Sequence, residues 1–233
     1  MSAAAAGIAH NLAAVRARLL QLCRSNGRDP DTVALLAVSK TQPAATVRAA
    51  HAAGQRRFGE NRVQELVAKA SELRELADLR WQLIGSLQTN KVKDLLAVPG
   101  LELLHSLDRA KLADELQKEC ARGGRSLDVL LQIDATGEAS KHGVPPAAAA
   151  ALLAHVRSRC PSLRVQGLMA MGPLAGDPAP VFAAVARLRE HLRQVSGLPL
   201  PVLSLGMSGD LPQAIAAGST LVRVGTAVFG TRG

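Results

Sequence analysis

Short apolar runs alternate with longer amphipathic stretches from one end of the chain to the other. The clearest run, Val33-Ala-Leu-Leu-Ala-Val38, holds no polar residue, which predicts a strand covered on both faces, as in a parallel sheet. Comparable runs lie at 56–61, 81–85, 101–105, 127–133, 163–170, 202–205 and 220–224. Between them the apolar positions return every three or four residues. Ile8, Leu12, Val15, Leu19 and Leu22 step by four, three, four and three, so 3–25 reads as an amphipathic helix. Further helices are expected at 43–53, 62–76, 88–98, 109–122, 145–159, 181–195 and from just after Asp210 through 217. Gly27 and Gly54 fit left-handed helix ends, while Asn61 and Asp108 fit helix N-caps.

Strand–helix alternation at this spacing implies parallel strands. Eight strands, seven of them followed by a helix before the next strand, with one extra helix in front, predict an α/β fold: a (β/α)8 TIM barrel forming one domain over 1–233. A doubly wound sheet is the alternative. There is no linker, no break in composition, and no internal repeat beyond the period of the fold.

Composition narrows the function classes. Hydrophobic residues make up 48% of the chain but aromatics only 2%, with no tyrosine, so the core must be aliphatic. Cys23, Cys120 and Cys160 are odd in number, far apart and in helical patterns, which argues for reduced thiols in a cytoplasmic protein and against a disulfide frame or a zinc site; no metal site is expected. The net charge of +9 comes from arginines spread over most helices. A nucleic-acid surface would gather that charge into a stripe with aromatic platforms, and neither is visible. No segment has the length of a membrane span, and the alanine-rich start lacks the basic lead of a signal peptide.

Three features stand out against this background. Lys40 sits just past the first buried strand, on the same side as Val38 and Leu36, with Pro43 opening the next helix. That edge of an α/β fold is where ligands bind, and a lysine against apolar walls can become a nucleophile towards aldehydes. A solvated loop lysine is the ordinary alternative. Arg223 lies inside the strand Leu221-Val-Arg-Val-Gly225 and needs a partner if buried: a core carboxylate such as Glu60 or Asp134, or an uncharged ring nitrogen. Gly206-Met-Ser208-Gly209 and Gly225-Thr226 follow strands seven and eight, where barrels hold phosphate. Pyridoxal 5'-phosphate (PLP) carries an aldehyde, a phosphate and a pyridine nitrogen, and so accounts for all three features.

The blocks Leu36-Ala-Val-Ser-Lys-Thr-Gln-Pro43, Phe58-Gly-Glu-Asn61 with Val63-Gln-Glu65, Ile84-Gly-Ser-Leu-Gln-Thr-Asn-Lys91, Gly167-Leu-Met-Ala170, Leu203-Ser-Leu-Gly-Met-Ser208 and Ala216-Ala-Gly-Ser-Thr220 with Val222-Arg-Val-Gly-Thr226 resemble, in order, those of the pyridoxal phosphate homeostasis protein family. The resemblance runs from about residue 8 to the end and extends to the barrel domain of alanine racemase, of PLP fold type III. It implies PLP as a Schiff base on Lys40, its phosphate at Ser208, Gly225 and Thr226, Arg223 at the pyridine nitrogen, and Asn61 and Met169 beside the ring. It also implies a monomer or weak dimer that buffers PLP or hands it to PLP-requiring apo-enzymes. Gln82 and Asp134 depart from the histidine and asparagine common in that family.

Whether chemistry occurs is a separate question. Racemases of this fold use a second base, a tyrosine from another domain. This chain has no tyrosine and stops soon after the eighth strand, so His105 or His142 would have to substitute. An arginine at the pyridine nitrogen also weakens the ring as an electron sink. The reading is therefore a PLP carrier, with a weak PLP-dependent racemase or lyase acting on small amino acids as the alternative.

Overall fold

The computed structural model describes residues 3–138 and 142–230. Eight strands close into a barrel in chain order, every neighbouring pair parallel: β1 (Ala34–Val38), β2 (Arg57–Glu60), β3 (Arg80–Leu83), β4 (Leu101–Leu107), β5 (Leu127–Gln132), β6 (Leu163–Met169), β7 (Val202–Ser204) and β8 (Leu221–Val224). The helices are α1 (Ala3–Ser25), α2 (Ala44–Ala52), α3 (Val63–Glu72), α4 (Val92–Leu96), α5 (Ala110–Arg122), α6 (Ala149–Arg159), α7 (Ala179–Ser196), α8 (Leu211–Ala216) and α9 (Thr226–Phe229). The expected (β/α)8 barrel with an N-terminal helix is what forms.

Alternation along the strands sorts the side chains into two layers. Inside the barrel, Leu36, Leu103, Leu130, Met169 and Leu221 pack together. Outside it, a larger apolar layer joins sheet to helices and includes Phe58, Trp81, Leu104, Leu116 and Phe182. Trp81 and Phe58 stack at a tilt, 5.9 Å apart. Each of the first seven strands is followed by a helix that covers the sheet, and the position after β8 needs one as well. The four-residue α9 is too short for that task, and α1 takes its place by packing on α2, α8 and α9. Asn11 Nδ2 ties α1 to the end of the chain through Val228 O, at 3.1 Å.

Several local expectations change. α4 is one turn and a half, entered through a 3-10 turn at Thr89–Lys91, and α6 begins only after a similar turn at Pro146–Ala148. Asn61 does not cap α3; the cap position is Arg62, without a side-chain cap bond. Asp108 likewise yields its position to Arg109, and its carboxylate binds that guanidinium at 2.5 Å. In both cases the chain stays extended one residue further before it turns, so the side chain is carried past the reach of the first helical amides. The left-handed ends at Gly27 and Gly54 are as expected, with φ of 64° and 83°.

One glycine is dictated by the sheet itself. Gly167 has φ 154°, and a Cβ there would lie 1.7 Å from Val202 O on β7. A register shift between Val129 and Leu130 lies beside it on β5. Only a residue without a side chain lets β6 and β7 meet here.

Candidate functional site at the carboxyl end of the barrel

A cavity of about 470 Å³ opens where the strands end. Lys40, Asn61, Met169, Ser208, Arg223, Gly225 and Thr226, the seven residues singled out from the sequence, all line it. They come from β1, β2, β6, β7 and β8 or the loops that follow them, so no two neighbouring elements could have built the site alone.

Lys40 lies two residues beyond β1, on the inward phase of that strand. Both its neighbours are anchored from the outer layer. Ser39 Oγ donates to Glu60 Oε1 at 2.5 Å, and Ser39 O accepts from Lys69 Nζ at 2.7 Å. The Thr41 amide donates to Glu65 Oε1 at 2.5 Å. Lys69 holds both carboxylates, Glu60 at 2.8 Å and Glu65 at 2.7 Å. Thr41 has φ 66°, a strained value for a β-branched residue, and the Glu65 contact holds it there. Burial pushes the Glu60 carboxyl up to about 6 against the pull of Lys69 and Ser39. Burial acts the same way on Glu65, but the bonds from Lys69 and Thr41 outweigh it and leave that carboxyl below its ordinary value.

Arg223 is buried, and its partner is neither Glu60 nor Asp134. Nη1 donates to Ser204 O and Ser204 Oγ, each at 2.7 Å, and Nη2 donates to Ala170 O at 2.9 Å. Glu60 is held by Lys69, and Asp134 accepts the Gly137 amide at 3.0 Å in its own loop. Burial lowers Arg223 to about 10, with Asp210 opposing the shift, so the group remains cationic at neutral pH. A charged donor held mostly by neutral carbonyls keeps its electrostatic demand unmet, which suits it to a further acceptor at the cavity.

The two glycine turns face the same space. Gly206 has φ 91°, and a Cβ there would stand 2.5 Å from the Ala214 Cβ. The Met207 amide donates to Asp210 Oδ1 at 2.5 Å, which shapes the turn that presents Ser208. Gly225 is pressed against β1, where a Cβ would meet Val38 O at 3.2 Å. α9 starts at Thr226, and Gly225 and Thr226 both line the mouth. An amine, a buried cation and two amide-rich turns around one cavity can hold an aldehyde that also carries an anion.

The comparisons with known proteins agree with that geometry. A family model for the N-terminal domain of alanine racemase matches residues 7–233. The pyridoxal phosphate homeostasis protein of Pseudomonas aeruginosa is 48% identical over 97% of this chain and 96% of its own length. The human protein of the same name is 41% identical over 97% of this chain and 87% of its own. The chain belongs to the pyridoxal phosphate homeostasis protein family. A solved relative, PipY of Synechococcus elongatus with PLP bound, is 40% identical over 96% of this chain and all of its own, and superposes with a TM-score of 0.83. Alanine racemase of Corynebacterium glutamicum shares the fold at 20% identity and TM-score 0.70, and this chain spans 61% of it.

In this member of the family, the cavity also includes Ile84, Gly85, Ser86, Gln132 and Met171, to which the sequence reading assigned no ligand role, and Val38 and Met207, which it named only as neighbours of Lys40 and Ser208. Gln132 had a signal, since it is a polar residue on the inward phase of β5 after Leu130. Ser86 had one too, as the first polar residue past β3. Met171 and Met207 had none, because loop apolar residues carry no periodicity. Of the two histidines, His142 lines the cavity, while His105 is fully buried beneath it between Gln82 Oε1, at 2.7 Å, and Ser204 Oγ, at 3.2 Å. Residues 139–141 of the polar loop 135–143 lie outside the described residues. Far from the mouth, Asp114, His155 and Cys160 bring three metal-capable atoms within 4.8 Å of one another between α5 and α6, where His155 Nε2 binds Asp114 Oδ1 at 2.7 Å. Among the described residues, no helix is long and apolar enough to cross a membrane.

Proposed function

We propose that this chain binds PLP at the barrel mouth as a Schiff base on Lys40 and serves PLP homeostasis inside the cell, as a buffer or as a carrier to PLP-requiring apo-enzymes. The observation that carries the reading is the convergence of Lys40, Arg223 and the turns after β7 and β8 on one cavity. Its relatives' names and the PLP-bound PipY structure support it. In this reading, Lys40 Nζ attaches the aldehyde, and Arg223 donates to the ring nitrogen. Ser208, Gly225 and Thr226 hold the phosphate, Asn61 lies beside the ring, and Met169 forms part of the floor. Bound PLP supplies a reactive carbonyl and an electron-withdrawing ring; the chain's own residues orient it and leave the ring nitrogen unprotonated. The whole of 1–233 acts as one PLP-binding domain, as a monomer or weak dimer.

Reduction with borohydride followed by peptide mapping tests the attachment. The label is expected on the peptide containing Lys40 and absent from Lys40→Ala; a label on another lysine defeats the assignment. A second reading, a weak racemase or lyase for small amino acids, is favoured by one observation: His142 lines the cavity and offers a base. It requires turnover of D- or L-amino acids that vanishes in Lys40→Ala. Turnover at ordinary enzyme rates would replace the carrier reading.

A further inference from the structure

We infer that Arg223 is positioned from below by a one-way chain of hydrogen bonds down the barrel interior, and that His105 is the positioning residue that fixes its direction. The inference rests on the reading of Arg223 as the donor to a bound ring nitrogen. At the amino ends of the strands, Glu102 accepts from Arg57 Nε at 3.1 Å and from Gln82 Nε2 at 2.6 Å. A carboxylate accepts only, so the Gln82 amide group must face Glu102 and its carbonyl must face the other way. That carbonyl, Oε1, lies 2.7 Å from His105 Nε2. Because Oε1 can only accept, Nε2 must carry the proton. His105 is fully buried, and burial together with the Arg223 charge holds its pKa well below the ordinary value, so the ring is neutral and Nδ1 bears a lone pair. Nδ1 lies 3.2 Å from Ser204 Oγ and accepts a hydrogen bond from that hydroxyl. The Ser204 lone pairs are then left for Arg223 Nη1 at 2.7 Å.

Each link therefore has one possible direction: guanidinium to hydroxyl, hydroxyl to imidazole, imidazole to amide, amide to carboxylate. The chain joins a buried cation under the cavity to an anion at the opposite end of the barrel, and bonds aligned in this way polarise one another in a low-dielectric interior. With Nη1 taken by Ser204 and Nη2 by Ala170 O, the guanidinium plane cannot turn. The opposite imidazole tautomer would place a hydrogen between Nδ1 and Ser204 and a lone pair against Gln82 Oε1. Both contacts below Arg223 would then be lost or reversed.

The test uses the full chain in solution. Side-chain nitrogen NMR, with the His105 signals assigned from their absence in His105→Gln, is expected to show a neutral ring protonated on Nε2. A ring protonated on Nδ1, or an imidazolium, overturns the chain. The Arg223 Nε–H, assigned from Arg223→Lys, is expected to exchange with water about 10-fold faster or more in His105→Leu, where the Ser204 hydroxyl loses the acceptor that fixes it against the guanidinium, and to recover in His105→Gln, which keeps one donor and one acceptor. Unchanged exchange in His105→Leu overturns the positioning role. Gln82→Leu provides the same comparison from the next link should His105→Leu fail to fold. Titration with PLP and with pyridoxal forms the last arm: both affinities should fall by a similar factor of about 10 in His105→Leu, because the ring and not the phosphate is addressed, and unchanged affinities overturn the role. If the unaltered chain forms no Schiff base at Lys40, the functional reading fails by itself, while the tautomer and exchange measurements still decide whether the chain of bonds exists.

Discussion

Glu60 shows how much a single buried side chain can cost. Its carboxyl stands at about 6 in the fold against an ordinary 4.5, because burial outweighs the bonds from Lys69 and Ser39. Its Oε2 is buried without a hydrogen-bond partner among the described residues. Between those two pKa values the folded chain holds more proton than the unfolded chain, so stability falls as pH rises from about 4.5 to about 6 and this contribution is flat on either side. The gap corresponds to about 2 kcal/mol. Denaturant unfolding across that window should show the fall, and Glu60→Gln should flatten it; an unaltered slope would refute the assignment. The phosphate-side residues make a different forecast. Ser208→Ala and Thr226→Val should each reduce affinity for PLP more than for pyridoxal, because a hydroxyl donating to an anion contributes about 1.5–3 kcal/mol. Titration of both ligands decides it, and equal losses would move these residues off the phosphate. At this scale much was legible. A lysine ending an apolar run and an arginine inside one are anomalies that a strand pattern makes visible. The partners were not, since Ser204 and Ala170 reach Arg223 through the barrel closure, which pairs β6, β7 and β8.

Among the elements, α1 is the one whose role changes most. The sequence presents it as an addition in front of the barrel, and its stripe of Ile8, Leu12, Val15 and Leu19 is buried. Its packing on α2, α8 and α9 makes it the closing member of the helical ring. Leu12 is fully buried there, so Leu12→Ala should cost about 2–5 kcal/mol in equilibrium unfolding. A loss below about 0.5 kcal/mol would mean that α1 is dispensable to the core. Gly167→Ala should be at least as severe, as the new Cβ has Val202 O in its place. The eight helices expected from the pattern all form, but α9, a single turn after β8, carried no readable period, and the boundaries were not legible either. α4 shrank because Gln88–Lys91 closes as a 3-10 turn, and the expected caps at Asn61 and Asp108 were displaced by one residue of extra strand-like chain. Local propensity sets where a helix can start; the exit angle of the preceding strand sets where it does start.

For the molecule as a whole, the three cysteines report on the integrity of the two-layer core. Cys23, Cys120 and Cys160 are free and buried, and burial raises all three thiols, Cys160 to about 11 with Asp114 adding to the shift. Under native conditions their reaction with an aromatic disulfide reagent should be slow and should accelerate through the unfolding transition. Rapid native reaction of any of them would show that its helix opens locally.

The order and type of the elements, the aliphatic core and the identity of the anomalous residues were set by the sequence alone, because hydrophobic period and strand–helix alternation are local properties of the chain. The closure of β8 onto β1, the use of α1 as the missing outer helix, and the downward links from Arg223 through Ser204 and His105 to Gln82 and Glu102 were decided only in three dimensions. Those contacts join positions up to about two hundred residues apart, as Asn11 and Val228 illustrate. No local pattern encodes such a pairing; it exists only once the barrel has brought its two ends together.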